Sequence, residues 1–399
     1  MGSFRPFPGN QPARTIETMI IPLLLAALTA SPLQAASPER RLPFTDAGWA
    51  TTDPKARIET LGGREALRLT SALSYRRDLN LADGTIEFDL WSTGERAFAY
   101  ILFRMKSDDE FETVYFRLHK SRLPDAIQYD PFYQRLGNWQ LFHGPDASAA
   151  VDLPAGRWIH VKLELLGEKA ALFVGASPEP VLAIPKLARG AGGGYIALRS
   201  FLGANIKGDV EPPTSFTNVV VRPGTVSYDF SRIQPPSLSP LPGLVTRFRF
   251  SPAFVPGEGP VEKLPETLGT PSAWPVVNAS PSGLVVIGAE VAIPKEARRR
   301  YASVASFHVR AAEAGVRRLR LGFSDEVTVY LNGQILYYGD QHYSFNFPRQ
   351  EGLIHLDQAL VYLPLKKGDN EVRLVISEVF GGWGLMAQFP DPSGLMVEP

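Results

Sequence analysis

Through residues 113–119 apolar and polar side chains alternate one by one: Val114, Phe116 and Leu118 fall on one face, Tyr115, Arg117 and His119 on the other. Period two is the signature of an extended strand, so one face reads as core and the other as open. The rhythm recurs in 84–91, where Ile86, Phe88 and Leu90 alternate with Glu87, Asp89 and Trp91. Further strands are expected at 66–70, 98–105, 139–142, 158–166, 171–174, 195–201 and 216–221. With 35 glycines and 35 prolines separating short apolar runs, the chain reads as all-β, built from two β-sandwich domains.

A length of 399 residues gives each of two or three domains enough chain to bury its own core. Residues 1–36 read as a signal peptide. The apolar run 19–30 is shorter than the ~20 residues that span a bilayer, Arg5 and Arg14 precede it, and small residues follow at Ala35 and Ala36. A periplasmic or secreted location is expected, with no stable membrane insertion after cleavage. The absence of cysteine excludes disulfides, a thiol nucleophile and a lipidated cysteine. Equal numbers of acidic and basic side chains, 41 of each, argue against a nucleic acid partner.

The first sandwich is expected at 37–223. A proline-rich linker, 224–245, follows with Pro235, Pro236, Pro240 and Pro242. The second sandwich is expected at 246–399, with strands at 285–291, 303–309, 319–323, 326–331, 334–338, 358–363, 371–378 and 384–388. Asn332-Gly333 reads as a two-residue hairpin turn, because both residues tolerate the positive φ of type I′. Only 297–302 and 309–314 look briefly helical. Trp383, between Gly382 and Gly384, reads as the residue closing one end of this sandwich.

The chemistry concentrates in 110–144. Tyr115, Arg117 and His119 share a strand face, and the loop behind them adds Asp125, Gln128, Tyr129 and Trp139. Flat rings beside planar donors and acceptors suit stacked, hydroxyl-rich ligands. Glu87 and Asp89 point to one side of their own strand and are expected to line the same groove. His119, His143 and His160 lie too far apart in sequence for a local metal pair, so no metal is expected. No cofactor is expected either, since neither a phosphate loop nor a dinucleotide fingerprint occurs.

The segments Gly84-Thr85-Ile86-Glu87-Phe88-Asp89, Tyr115-Phe116-Arg117-Leu118-His119 and Gly156-Arg157-Trp158-Ile159-His160-Val161-Lys162 resemble the concanavalin A-like, laminin G-like jelly rolls. That architecture, shared by the 3-keto-disaccharide hydrolase family, includes lectins, glucanases, lyases and adhesion modules. Glucanases of the laminarinase type carry a further acid three residues after the aspartate. This chain has Ser92 there, so their retaining pair does not carry over. Ser324 to Gly333 and Leu363 to Glu371 resemble galactose-binding-domain-like sandwiches appended to glycosidases and esterases. The resemblance implies an exported protein that binds poly- or oligosaccharide on the concave face of the first sandwich. The alternatives are a glycoside hydrolase or polysaccharide lyase using the same groove, and a structural or adhesion protein of the cell envelope. No residue is assigned a catalytic role.

Overall fold

A computed structural model describes residues 39–52, 54–202, 212–235, 241–295, 300–344 and 351–399. The run 19–30, expected to direct export, lies outside them. The described chain is nearly all β, in two sandwiches.

In the first sandwich, one sheet runs Leu182–Ile184, Lys169–Val174, Ile159–Leu166, Gly84–Ser92, Thr214–Pro223, Arg64–Leu69, Arg57–Leu61, with Arg40–Arg41 also paired to Thr214–Pro223. The facing sheet runs Ser148–Ala149, Ile127–Tyr129, Glu112–Arg117, Phe98–Met105, Tyr195–Phe201, Leu73–Arg76, Trp49–Thr51. All pairings are antiparallel, and consecutive strands repeatedly cross from one sheet to the other. The alternation has its expected physical outcome, since Ile86, Phe88 and Leu90 meet Ile101, Phe103, Val114 and Phe116 in one core. The ring of Phe88 packs edge-on against Phe116 at 6.4 Å.

The second sandwich pairs a seven-stranded sheet, from Val276–Asn278 through Tyr301–Ala311 and Gly368–Glu378 to Gln334–Asp340, with a four-stranded one of Val285–Val286, Gly384–Gln388, Gly315–Ser324 and Ala359–Leu365. Phe307, Phe323, Leu374 and Trp383 fill the space between. Asn332 and Gly333 make the expected turn, at φ of 50° and 82°, and Leu331 pairs with Gln334 across it.

Several local expectations are corrected. Residues 139–142 form a turn in place of a strand, because the amides of Leu141 and Phe142 both donate to the Asn138 carbonyl. The strand expected at 285–291 stops at Val286 and gives way to the helical turn Ile287–Glu290. The helical reading of 309–314 fails at Val309–Ala311, which continue the strand Tyr301–Ala311 in register with Gly368–Asn370. Part of the expected linker is fastened to the first sandwich: Phe230 and Ile233 are buried against Ala171 and Phe173, and Lys169 Nζ donates to both their carbonyls. Residues 236–240 lie outside the described residues.

The two sandwiches belong to one compact unit. The hairpin Phe132–Tyr133 with Leu136–Gly137 and the turn after it reach from the first into the second. Gln134 at the hairpin tip donates to the carbonyls of Gly288 and Val291 and accepts from the amide of Ile293. Leu136 packs on the second core. Gln140, fully buried, accepts the Gly382 amide at 2.7 Å and lies 3.4 Å from Asp325 Oδ1. His143 Nε2 donates to the Ile354 carbonyl at 2.9 Å.

Candidate functional site

The register of the seven-stranded sheet in the first sandwich sets two rows of side chains across its outer face. One reads Arg199, Tyr100, Tyr115, Gln128, Ser148, and its neighbour reads Phe201, Phe98, Arg117. Tyr100 and Tyr115 stack with centroids 5.1 Å apart. The Arg199 guanidinium carbon lies 5.2 Å from the Tyr100 ring and 4.8 Å from Phe201, and that of Arg117 lies 4.7 Å from Tyr115 and 5.9 Å from Trp139. Guanidinium planes thus lie on rings at both ends of these rows, an arrangement worth about 0.5–2 kcal/mol per contact.

The tyrosines are buried in this layer, whereas Phe98, Phe201, Arg199, Trp139 and His119 remain half-exposed at its edge. The strand ends at Arg117, and His119 sits in the 3₁₀ turn Leu118–Lys120, outside the expected row. It still reaches the edge, with its ring 5.4 Å from Phe98. Burial, and after it the Arg96 charge, pushes the His119 imidazole below its ordinary range, which favours the neutral form.

The polar groups of this face are largely committed to the protein itself. Tyr115 donates to Gln128 Oε1, and Gln128 Nε2 donates to the carbonyls of Trp139 and Phe142, which fixes the turn. Arg117 donates to the Asp125 carbonyl at 2.7 Å. Burial works against the Asp125 charge, but Lys120 at 2.6 Å and Arg117 outweigh it and hold the carboxyl below its ordinary range. Asp130 is buried at the foot of the rows, where its carboxylate accepts the Asn138 amide at 2.6 Å. Burial raises its pKa to about 7 against the pull of that amide, Arg117 and Arg199.

Two placements depart from the sequence reading. Glu87 and Asp89 lie on the outer face of the other sheet: their strand turns Ile86, Phe88 and Leu90 into the shared core. Sheets pack about 10 Å apart, so Glu87 and Asp89 look away from Tyr115 and cannot share a groove with it. Tyr129 alternates with Gln128 and therefore points inward, 1% exposed. Its hydroxyl donates to Glu112 and accepts the Ala188 amide at 2.7 Å, and burial raises Glu112 to about 7. Tyr129→Phe is expected to cost about 2 kcal/mol in urea unfolding, because the buried Ala188 amide loses its partner. A loss below about 0.5 kcal/mol would show that the bond contributes little.

Sequence reasoning missed Phe98, Tyr100, Arg199 and Phe201. Their alternation within 98–105 and 195–201 was visible, with Tyr195, Ala197, Arg199 and Phe201 on one face. What the sequence lacked was the strand order that lays those faces beside Tyr115. Among the described residues no group of three or more histidines and carboxylates is placed to hold a metal ion, and no helix is long and apolar enough to cross a membrane.

No protein-family model and no curated protein matches the sequence. Among solved structures, the chain is similar to the carbohydrate-binding module CBM66 from Bacillus subtilis, at 15% identity and a TM-score of 0.33, over 43% of this chain and 93% of that one. It is also similar to a Bacillus licheniformis beta-glucanase, at 13% identity and a TM-score of 0.34, over 47% and 99%. A lichenase derived from a mouse hindgut metagenome gives 12% identity and a TM-score of 0.35, over 47% and 98%.

Proposed function

We propose that the protein binds poly- or oligosaccharide at the half-exposed edge of the outer face formed by Phe98, His119, Trp139, Arg199 and Phe201. The observation that carries the reading is the stacking of guanidinium groups on rings across paired strands. Ring faces take the C–H side of a pyranose, and planar guanidinium donors take its oxygens. Export belongs to the same proposal, as does the view of the second sandwich as a galactose-binding-domain-like accessory module.

Binding is favoured over cleavage. Glycosidic hydrolysis needs two carboxyl groups flanking the ligand about 5–10 Å apart. On this face Asp125 is held by Lys120 and Asp130 is buried against Asn138. Tyr115 is poorly suited as a lyase base, since burial raises its phenol well above its ordinary range and its proton is already donated to Gln128.

The test is retention of the purified protein on a panel of neutral and acidic polysaccharides, with released products followed by mass spectrometry. Retention without products is expected. Arg199→Ala and Phe98→Ala should each weaken it by about 10-fold, near 1.4 kcal/mol, measured at a temperature where each variant remains folded. Released products would move the reading to an enzyme. No retention on any polysaccharide, with working controls, would move it to a protein-binding role.

A further inference from the structure

On the opposite outer face, Asp89 is the hub of a second cluster. Its side chain is 11% exposed and accepts three hydrogen bonds, from His160 Nδ1 at 2.9 Å, Arg64 Nη1 at 2.7 Å and Asn218 Nδ2 at 2.7 Å. The three donors sit on three different strand segments, and register accounts for two of them, since His160 pairs directly with Asp89 while Asn218 bulges from the strand on its other side. Asn218 has φ of 54°, and the ladder shifts between Thr217 and Val220 around it. Bulges of this kind re-aim a side chain at the cost of a ladder bond, and they concentrate next to binding sites.

The partners of Asp89 face outward. The side chains of His160 and Arg64 are 47% and 46% exposed. Because Nδ1 gives its proton to Asp89, a neutral His160 carries its lone pair on Nε2. Arg64 spends one amino group on Asp89 and lies over the half-buried Trp158, 5.8 Å from the ring centroid. Arg64 and Asn218 also line, with Phe44 and Thr217, a cleft of about 450 Å³ on the side of Asp89 away from His160.

We propose that His160, Arg64 and Trp158, held by Asp89 and Asn218, form a second ligand site that takes a vicinal hydroxyl pair of a neutral saccharide. An acceptor on His160, donors on Arg64 and an indole beside them supply the complement of two adjacent hydroxyls and a C–H face. The Asp89 and Arg64 charges cancel, which disfavours a sugar carboxylate or sulfate. The inference takes its ligand class from the saccharide reading above but uses none of the same residues. With both sites occupied on opposite faces of one sandwich, the protein bridges two glycan chains.

The test uses the full chain labelled with ¹⁵N-histidine, followed by imidazole NMR at pH 7.5 during addition of the methyl glycosides of glucose, galactose and mannose and of the polysaccharides the protein retains. The His160 Nε2 signal should move in the wild type and in Arg199→Ala and stay fixed in Arg64→Ala, whose exposed side chain can be removed without opening the core. A His160 signal unmoved by every sugar overturns the second site. If His119 responds in that same sample, the first site stands alone; if only His160 responds, the first fails and the second stands.

Discussion

Gln140→Ala is expected to lower the free energy of unfolding by about 1–3 kcal/mol, because it leaves the buried Gly382 amide unpaired, whereas Asp325 keeps Ser324 and the Val379 and Phe380 amides. The side chain has no solvent exposure, and its amide spans from the Gly382 amide to Asp325. The surroundings cannot close over the gap cheaply: Gly352 and Gly381 sit directly against the Gln140 amide, and Gly382 and Gly384 against Leu141. A Cβ on Gly381 would overlap the Gln140 side chain, and this glycine also holds φ at 105°. Gln140→Glu should cost more still at pH 8, where it sets a second carboxylate beside Asp325, and recover part of the loss at pH 5. Urea unfolding followed by tryptophan fluorescence measures both. A loss below about 0.5 kcal/mol for Gln140→Ala would mean that the joint is held without it.

The second large effect is in pH. Burial raises Glu112, Asp130 and Asp325 to about 7 and lifts Glu378 well above its ordinary range, the last with help from the neighbouring Asp325. In each case the folded state binds its proton more tightly than the unfolded chain, whose carboxyls titrate near 4. Between the two values folding takes up protons, so stability is fully present below the unfolded pKa and is lost as pH rises through the folded one. Each group contributes a slope of up to about 1.4 kcal/mol per pH unit. Carboxyls held low act the other way: Asp125 and Glu164, paired with Lys120 and with Ser227 and Lys162, lose their contribution as the pH falls through their depressed values. Melting temperature is therefore expected to rise from about pH 8 to about pH 5 and to fall below about pH 4. A maximum at or above pH 7.5 in melts recorded across this range would contradict the assignment of these buried acids.

The turn at 138–143 shows how residue types suited to a sugar site also build a joint. Rings, amides and a histidine in one short segment satisfy the requirements of a sugar site. They equally satisfy those of a joint that must cross between two sandwiches without leaving polar groups unpaired. Gln134, Gln140 and His143 all bond to the second sandwich, and Trp139 meets Tyr343 edge-on at 5.6 Å. Gly381 and Gly382 beside Trp383 make room for Gln140 and Leu141, while Trp383 itself closes the core and donates to the Ile376 carbonyl. No local pattern distinguishes a glycine that admits a ligand from one that admits a glutamine 242 positions away.

Local physics was written in the chain. Period-two alternation placed Val114 and Phe116 inward and Tyr115 and Arg117 outward, and Asn332-Gly333 set its own hairpin, because strand geometry and positive φ act over a few neighbouring residues. Tertiary structure alone decided which outward faces adjoin. It set Arg199 and Tyr100 beside Tyr115, sent Glu87 and Asp89 to the far side, and brought His160 and Arg64 onto Asp89. Sheet order is fixed by the burial of whole faces, and that sum is not carried by any short stretch of sequence.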